Sequence, residues 1–531
     1  MTADSVLAAL VDQAALRPDA PFFQCGGPWR TVPQLVDRAR AVAGGLSSLG
    51  VGKGDRVAIL AANRDEMIDV VLGCLNVGAI EVPLNAWLKG EFLRYQLADC
   101  EATVLITDQA GLSAAVGLLA STSIKHIVAL DPPAVDAAAA VEVTPLAELL
   151  DQGHPTPEVE VAANDLAAII YTSGTTGLPK GCMLSHRYFL TGPGALVNRG
   201  WVQPGDRLFT AWPLFHTSGQ VIAFMTALLA GGSVVVEPEF SASGFLDRAR
   251  AEHANVMLGV GMMGAAMLAV PPTAADRDHV LRLAVWVPMA PAQQIAFEER
   301  FGVPVITEGF GQTECFPITM APLGAERDRL GLGTPTDHVE VAVVDECDRP
   351  VAPGEVGEIV VRPRVPDAMY SGYWRKPEAT VDAWRNLWHH TGDLAVADER
   401  GNLRFVDRKK DALRRRGENV SSLELEAAIL QHPSVAAVAV SAVASPLGED
   451  DIKATVVLDP GAELTPEGVF AFFKDNLPYF AIPRYVEVRD ALPTNALARV
   501  MKHQLRDEGV TSSTWDLEAL GLQVSRGERR G

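Results

Sequence analysis

The 531-residue chain lacks several things that would have narrowed its class at once. It has six cysteines, Cys25, Cys74, Cys100, Cys182, Cys315 and Cys347, and none are paired at metal-ligand spacing. That excludes a disulfide scaffold and a cysteine zinc site, and reduced thiols in a cytoplasmic protein are the simplest reading. Basic charge is in deficit: 45 Lys and Arg against 66 Asp and Glu give a formal charge of −21. This argues against nucleic acid and anionic lipid as partners. No apolar run is long enough to span a bilayer. The most lipid-like stretch, 256–270, is short, ends at Pro271 and Pro272, and reads as a buried strand followed by a helix. The N-terminus has no basic start and reads as an amphipathic helix ending near Arg17 rather than a signal peptide. Internal repeats and low-complexity linkers are absent too.

What is present is α/β patterning. VAIL (57–60), VLIT (104–107) and HIVAL (126–130) read as strands separated by helical periodicity, which predicts layers around a mostly parallel sheet. A second α/β half runs from Trp201 to Met320. From Gly331 to Arg362 the pattern alternates about a Pro353-Gly354-Glu355 turn, as in a small β-barrel. Near Asp407–Asp411 the chain becomes highly charged and restarts as a βα pattern. The expected division is a large unit, 1–408, with a barrel region at about 326–408, and a mobile α+β unit, 409–531.

The most informative run is YTSGTTGLPKG, 171–181, after the apolar stretch Leu166–Ile170. Thr172, Ser173, Gly174, Thr175 and Thr176 supply hydroxyls and turning backbone N–H groups, and Lys180 adds a full charge. That is the chemistry of a polyphosphate cradle. The spacing fails the kinase-type P-loop pattern; the alternative reading is a polar surface hairpin.

The run resembles the phosphate loop of the adenylate-forming superfamily, which includes acyl-CoA synthetases, peptide-synthetase adenylation domains and firefly luciferase. GAIEVPLN (78–85) is similar to another segment of that family. In PLFHTSG (213–219), the resemblance puts His216 between the acyl pocket and the thiol channel, with Trp212 and Phe215 beside it. In EGFGQTE (308–314), Phe310 would cover adenine among Gly309, Gly311 and Gln312. Thr313 would lie near the α-phosphate, and Glu314 would ligate Mg²⁺, a hard cation that takes carboxylate and phosphate oxygens. HTGDL supplies Asp393, a natural bidentate acceptor for ribose hydroxyls. DRKKD supplies Arg408, for ribose and phosphate, and Lys410, the hinge. RRRGEN (414–419) resembles CoA ligases of the carnitine and crotonobetaine type. There Gly417 lets the loop line the pantetheine channel, while Arg415 and Arg416 would meet CoA phosphates or form a solvated basic patch.

Two departures from the family pattern matter. In PTNALARVMK (493–502), Arg499 stands where the family has the lysine that holds the carboxylate and α-phosphate during adenylation. Arginine is longer and planar, so the exchange is not conservative. Lys502, one turn further on, is a candidate substitute. At VPMAP (287–291) the family often has glycines; Met289, Ala290 and Pro291 border the adenine site, and Gly259, Gly261 and Met262 open an apolar pocket. The resemblance implies an acid–thiol ligase using CoA and AMP, ATP or an acyl-adenylate, with Mg²⁺ if ATP is used. Adenylation would be weak or lost, a separate adenylating ligase would supply the adenylate, and the substrate would be a bulky apolar carboxylic acid. Terpenoid acids of bacterial natural-product pathways, such as platensimycin biosynthesis, fit, as do aryl or medium-chain acids. A complete ATP-dependent synthetase and a non-catalytic AMP binder are the alternatives.

Overall fold

The computed structural model describes residues 4–132, 141–172, 178–408, 413–415, 418–420, 422–445, 449–493, 500 and 502–525. Its first seven-stranded sheet runs, in spatial order, 142–145, 126–129, 104–107, 56–60, 80–83, 166–172, 180–185, and all but the last pair are parallel. The second runs 305–306, 283–286, 256–259, 207–210, 233–236, 21–24, 30–31, with only the final pair antiparallel. Strands such as Val256–Gly259 and Leu283–Trp286 are buried along their whole length. That is what parallel strands covered by helices on both faces require. The 256–270 stretch is indeed a strand and then a helix, Gly261–Ala269. The first helix, Val6–Leu16, starts on a Ser5 cap and stops at Arg17.

A third seven-stranded sheet is antiparallel and contains the expected hairpin of 339–344 with 356–363. It begins earlier than about 326: Gly309–Gln312 and Cys315–Met320 form a hairpin that joins it through 331–335. The glycine-rich motif of 308–314 is therefore an edge of this sheet. Beyond it, a two-stranded ribbon, 413–415 with 418–420, precedes a four-stranded sheet, 435–444, 450–458, 485–488 and 514–516. The helices Ser422–Ile429, Pro466–Asn476 and Lys502–Glu508 accompany that sheet. Overall the architecture is α/β with a smaller α+β C-terminal unit.

Candidate functional site: a nucleotide and acyl cavity

Strands 166–172 and 180–185 pair antiparallel with Thr172 opposite Lys180. The posts of the phosphate loop are thus fixed by sheet hydrogen bonds, while Ser173, Gly174, Thr175 and Thr176 lie outside the described residues. Both posts line a cavity of about 2080 Å³. The same cavity is lined by Trp212, Phe215, His216, Gly261, Met262, Met289, Ala290, Pro291, Gly309, Phe310, Gly311, Gln312, Thr313, Glu314 and Asp393. Residues as far apart in sequence as Thr172 and Asp393 therefore meet in one cavity. Gly311 is required by close approach, since a Cβ there would sit 2.8 Å from the Phe316 ring.

Glu314 is held from behind. The Tyr373 hydroxyl donates to its carboxylate at 2.8 Å, and Lys180 Nζ lies 4.4 Å from the Tyr373 ring centre. Burial and the neighbouring carboxylate push the Tyr373 phenol well above its ordinary range, so it stays a donor. Among the described residues no three His, Cys, Asp or Glu gather as a metal cage. One carboxylate beside a phosphate-loop post fits Mg²⁺ shared with nucleotide phosphates, the usual way this ion is held. Asp393 accepts from Gln312 Nε2 at 2.6 Å. Arg408 lies opposite Asp393 in the strand register; its side chain is outside the described residues.

One side of the cavity is apolar. Leu258, Val260, Val285 and Val287 face the cavity. Gly259 does not: its missing side chain points at Trp286, where a Cβ would come within 2.1 Å of the ring. Neighbouring strand residues point to opposite faces, so 258 and 260 excluded 259 from the pocket. Gly261 packs instead against the 288–289 backbone, with its Cβ position 1.7 Å from the Pro288 oxygen. His216 Nδ1 accepts from the Ser218 backbone N–H at 3.3 Å, at the start of a π-helical segment, Ser218–Met225. Such segments often mark functional sites.

The sequence did not single out Glu81. It is fully buried on the strand Ile80–Pro83, accepts from Gln220 Nε2 at 3.1 Å, and is pushed up to about 8 by burial. Gln220 also donates to the Leu214 carbonyl at 2.8 Å, so this carboxyl sits beneath the His216 loop. A lone acidic residue within an apolar strand was the available signal.

Glu418, Val420, Glu424 and Ala442 of the C-terminal unit line the same cavity. Trp87 stacks edge-on with both Phe215 (5.4 Å) and Tyr479 (5.6 Å), joining the two units at its wall. Two expected residues are placed elsewhere. Arg415 is buried inside the C-terminal unit, bonded to the Ile482 carbonyl and paired with Asp451 at 3.4 Å and Glu518 at 3.2 Å. A guanidinium so committed stabilises that unit rather than meeting CoA. Lys502 is paired with Glu426 at 2.7 Å and donates to Ser422 Oγ at 2.9 Å. It is an internal tie, not a free cation at the cavity. Lys410, Arg416, Gly417 and Arg499 lie outside the described residues.

Residues 10–374 match the AMP-binding enzyme family, and residues 424–499 match the AMP-binding enzyme C-terminal domain. The chain belongs to this family, on the acyl-CoA ligase branch to which its motifs pointed. It is 33% identical over 469 residues to a crotonobetaine/carnitine–CoA ligase of Salmonella arizonae, covering 86% of this chain and 89% of that one. Among solved structures it is similar to the amide bond synthetase McbA from Marinactinospora thermotolerans (TM-score 0.81, 27% identity, 95% and 99% coverage). It is also similar to a variant of the o-succinylbenzoate CoA synthetase MenE from Bacillus subtilis bound with its product analogue OSB-NCoA (TM-score 0.82, 26% identity, 94% and 98% coverage). Among the described residues no helix is long and apolar enough to cross a membrane.

Proposed function

We propose that the chain forms an acyl-CoA thioester from an acyl-adenylate and CoA, with adenylation of the free acid weakened by Arg499. The observation that carries this reading is the ribbon strand 418–420: Glu418 and Val420 face the cavity that also holds Phe310, Glu314 and Asp393. With this side of the C-terminal unit turned inward, a thiol entering between the units meets the acyl carbonyl. Attack by its thiolate, the proton having passed to water, forms the C–S bond, breaks the bond from the acyl carbon to phosphate oxygen and releases AMP. His216, which lines the cavity, would stand between the apolar pocket and this entrance. Asp393 and Arg408 would hold the ribose, Phe310 the adenine, and Thr172, Thr313 and Lys180 the phosphate. Residue 409 is our proposed start of the moving unit.

The acyl chamber supports a bulky apolar acid, being walled by Leu258, Val260, Val285, Val287 and the methionines Met262, Met263 and Met289. Methionines adapt to irregular shapes. Lys502 would have to leave Glu426 and Ser422 to replace the missing lysine. That supports loss of adenylation and a separate ligase as the source of the adenylate. The intact Lys180 post and Glu314 favour a second reading, a complete synthetase in which Arg499 suffices.

The test separates the half-reactions. Bulky acids with ATP and Mg²⁺ are followed by pyrophosphate release, and synthetic acyl-adenylates with CoA by thioester. Thioester without pyrophosphate is the expected result. Pyrophosphate at ordinary turnover would establish the complete synthetase instead.

A further inference from the structure

The carboxylate assigned to the ribose stands at the end of a hydrogen-bonded chain. Gln312 Nε2 donates to Asp393 Oδ2 at 2.6 Å and to the Thr391 carbonyl at 2.8 Å. Both of its amide hydrogens are then used, and Gln312 Oε1, an amide oxygen, is left to accept. Oε1 faces His389 Nε2 at 3.4 Å, which places the imidazole proton on Nε2. His389 Nδ1 is then bare and accepts from the Tyr370 hydroxyl at 3.1 Å. One proton ordering satisfies every member. It also requires a neutral imidazole, in keeping with a ring that is 1% exposed.

The far end of the chain is fixed equally well. Tyr370 stacks on Trp384 at 6.0 Å and packs against Tyr373 at 5.0 Å. The Tyr370 backbone N–H donates to the Glu314 carbonyl at 2.9 Å, and the Tyr373 hydroxyl donates to the Glu314 carboxylate. A single aromatic cluster therefore backs both the Asp393 and the Glu314 carboxylates.

We propose that His389 is a positioning residue for the nucleotide: through Gln312 it sets the orientation of the Asp393 carboxylate toward the ribose hydroxyls, and through Tyr370 it couples that orientation to the segment holding Glu314. The proposal rests on Asp393 being the ribose acceptor. His389 touches neither nucleotide nor acid. Its effect is confined to ligands that carry the hydroxyls Asp393 would bind.

Binding of AMP, 2′-deoxy-AMP and 3′-deoxy-AMP to the full chain tests this by calorimetry, using wild type, Asp393→Asn, His389→Phe, His389→Gln and Tyr370→Phe. His389→Phe should weaken AMP by about fivefold or more, the scale of one or two hydrogen bonds, and weaken each deoxy nucleotide, which keeps only one of the two hydroxyls, by clearly less. His389→Gln keeps one donor and one acceptor and should recover most of the loss. Tyr370→Phe removes only a hydroxyl and should show the same selective loss at smaller size; it carries the test if His389→Phe does not fold. Folded His389→Phe and Tyr370→Phe with undiminished preference for AMP would overturn the positioning role. A wild type and an Asp393→Asn variant that are both indifferent to the ribose hydroxyls would instead overturn the ribose site itself.

Discussion

Replacing Glu81 by glutamine should change how stability depends on pH, and the size of the change follows from where the side chain lies. Glu81 sits in the middle of the first sheet, opposite Val57 on one side and Ala168 on the other, with no exposed surface. One oxygen accepts from Gln220; the other, Oε1, has no hydrogen-bond partner among the described residues. Burial raises the carboxyl from an ordinary 4.5 to about 8. The folded state thus binds its proton more tightly than the unfolded chain. No penalty applies below the unfolded value, and stability is lost as pH rises toward the folded one. At ~1.4 kcal/mol per pH unit, the loss between about pH 5 and pH 8 is roughly 3 kcal/mol. Glutamine keeps the bond from Gln220 and has no proton to lose. It does leave an amide N–H without a partner, at about 1–3 kcal/mol at every pH. Glu81→Gln should therefore be less stable than wild type near pH 5 and gain on it steadily, matching or overtaking it near pH 8. Urea unfolding followed by tryptophan fluorescence across that range reads the difference. A gap between the two proteins that is independent of pH, or that widens against the variant as pH rises, would refute the reasoning.

Acid should destabilise the protein through three buried histidines. His186 and His338 are pushed down to about 4 and His389 to about 3, in each case chiefly by burial. Their unfolded counterparts bind protons first, so stability is present above about pH 6.5 and falls toward pH 4, by about 2 kcal/mol per histidine at pH 5; melting from pH 7 to pH 5 measures it. Gly261→Ala drives a methyl into the Pro288 carbonyl and should cost about 1–3 kcal/mol while disturbing the acyl pocket, seen as a lower melting temperature and weaker acyl-adenylate binding. Lys502→Met leaves the buried Glu426 without its cation and should loosen the C-terminal unit, measured by faster hydrogen exchange in 422–429, without abolishing AMP binding.

Much of the site was legible because its motifs carry their own local structure. The hydroxyl-glycine-lysine run predicted a loop at a strand end, and Thr172 and Lys180 are the paired posts of that loop. Phe310 and Glu314 came from one motif and Asp393 from another, and the three share one cavity. What could not be read were properties of the tertiary environment. Gly259 and Gly261 are two residues apart and both small, yet the Cβ position of one meets the Trp286 ring and that of the other the Pro288 carbonyl, where the strand gives way to a helix. Arg415 sits in a run of three arginines that looks solvent-directed, but its guanidinium meets carboxylates from 451 and 518, partners no local pattern announces. His389 looks like the first of two equivalent histidines. In the fold it points inward to Tyr370 and Gln312, while His390 turns to Glu358 at 3.1 Å. Strand alternation gives the two different partners although both line the cavity, and only the sheet says which partners each meets.

The most direct test of the central claim is to put lysine back. Arg499→Lys and wild type are compared in both half-reactions, by pyrophosphate release from a bulky acid with ATP and Mg²⁺ and by thioester formation from the synthetic adenylate with CoA. If Arg499 is what weakens adenylation, lysine should raise pyrophosphate release by at least about tenfold, since positioning and charge at a developing transition state are worth that much or more. Thioester formation should stay within about twofold of wild type, since the residue would act only in the first half-reaction. Pyrophosphate release that is already rapid in wild type and falls on Arg499→Lys would contradict the account and make arginine a working replacement for the lysine.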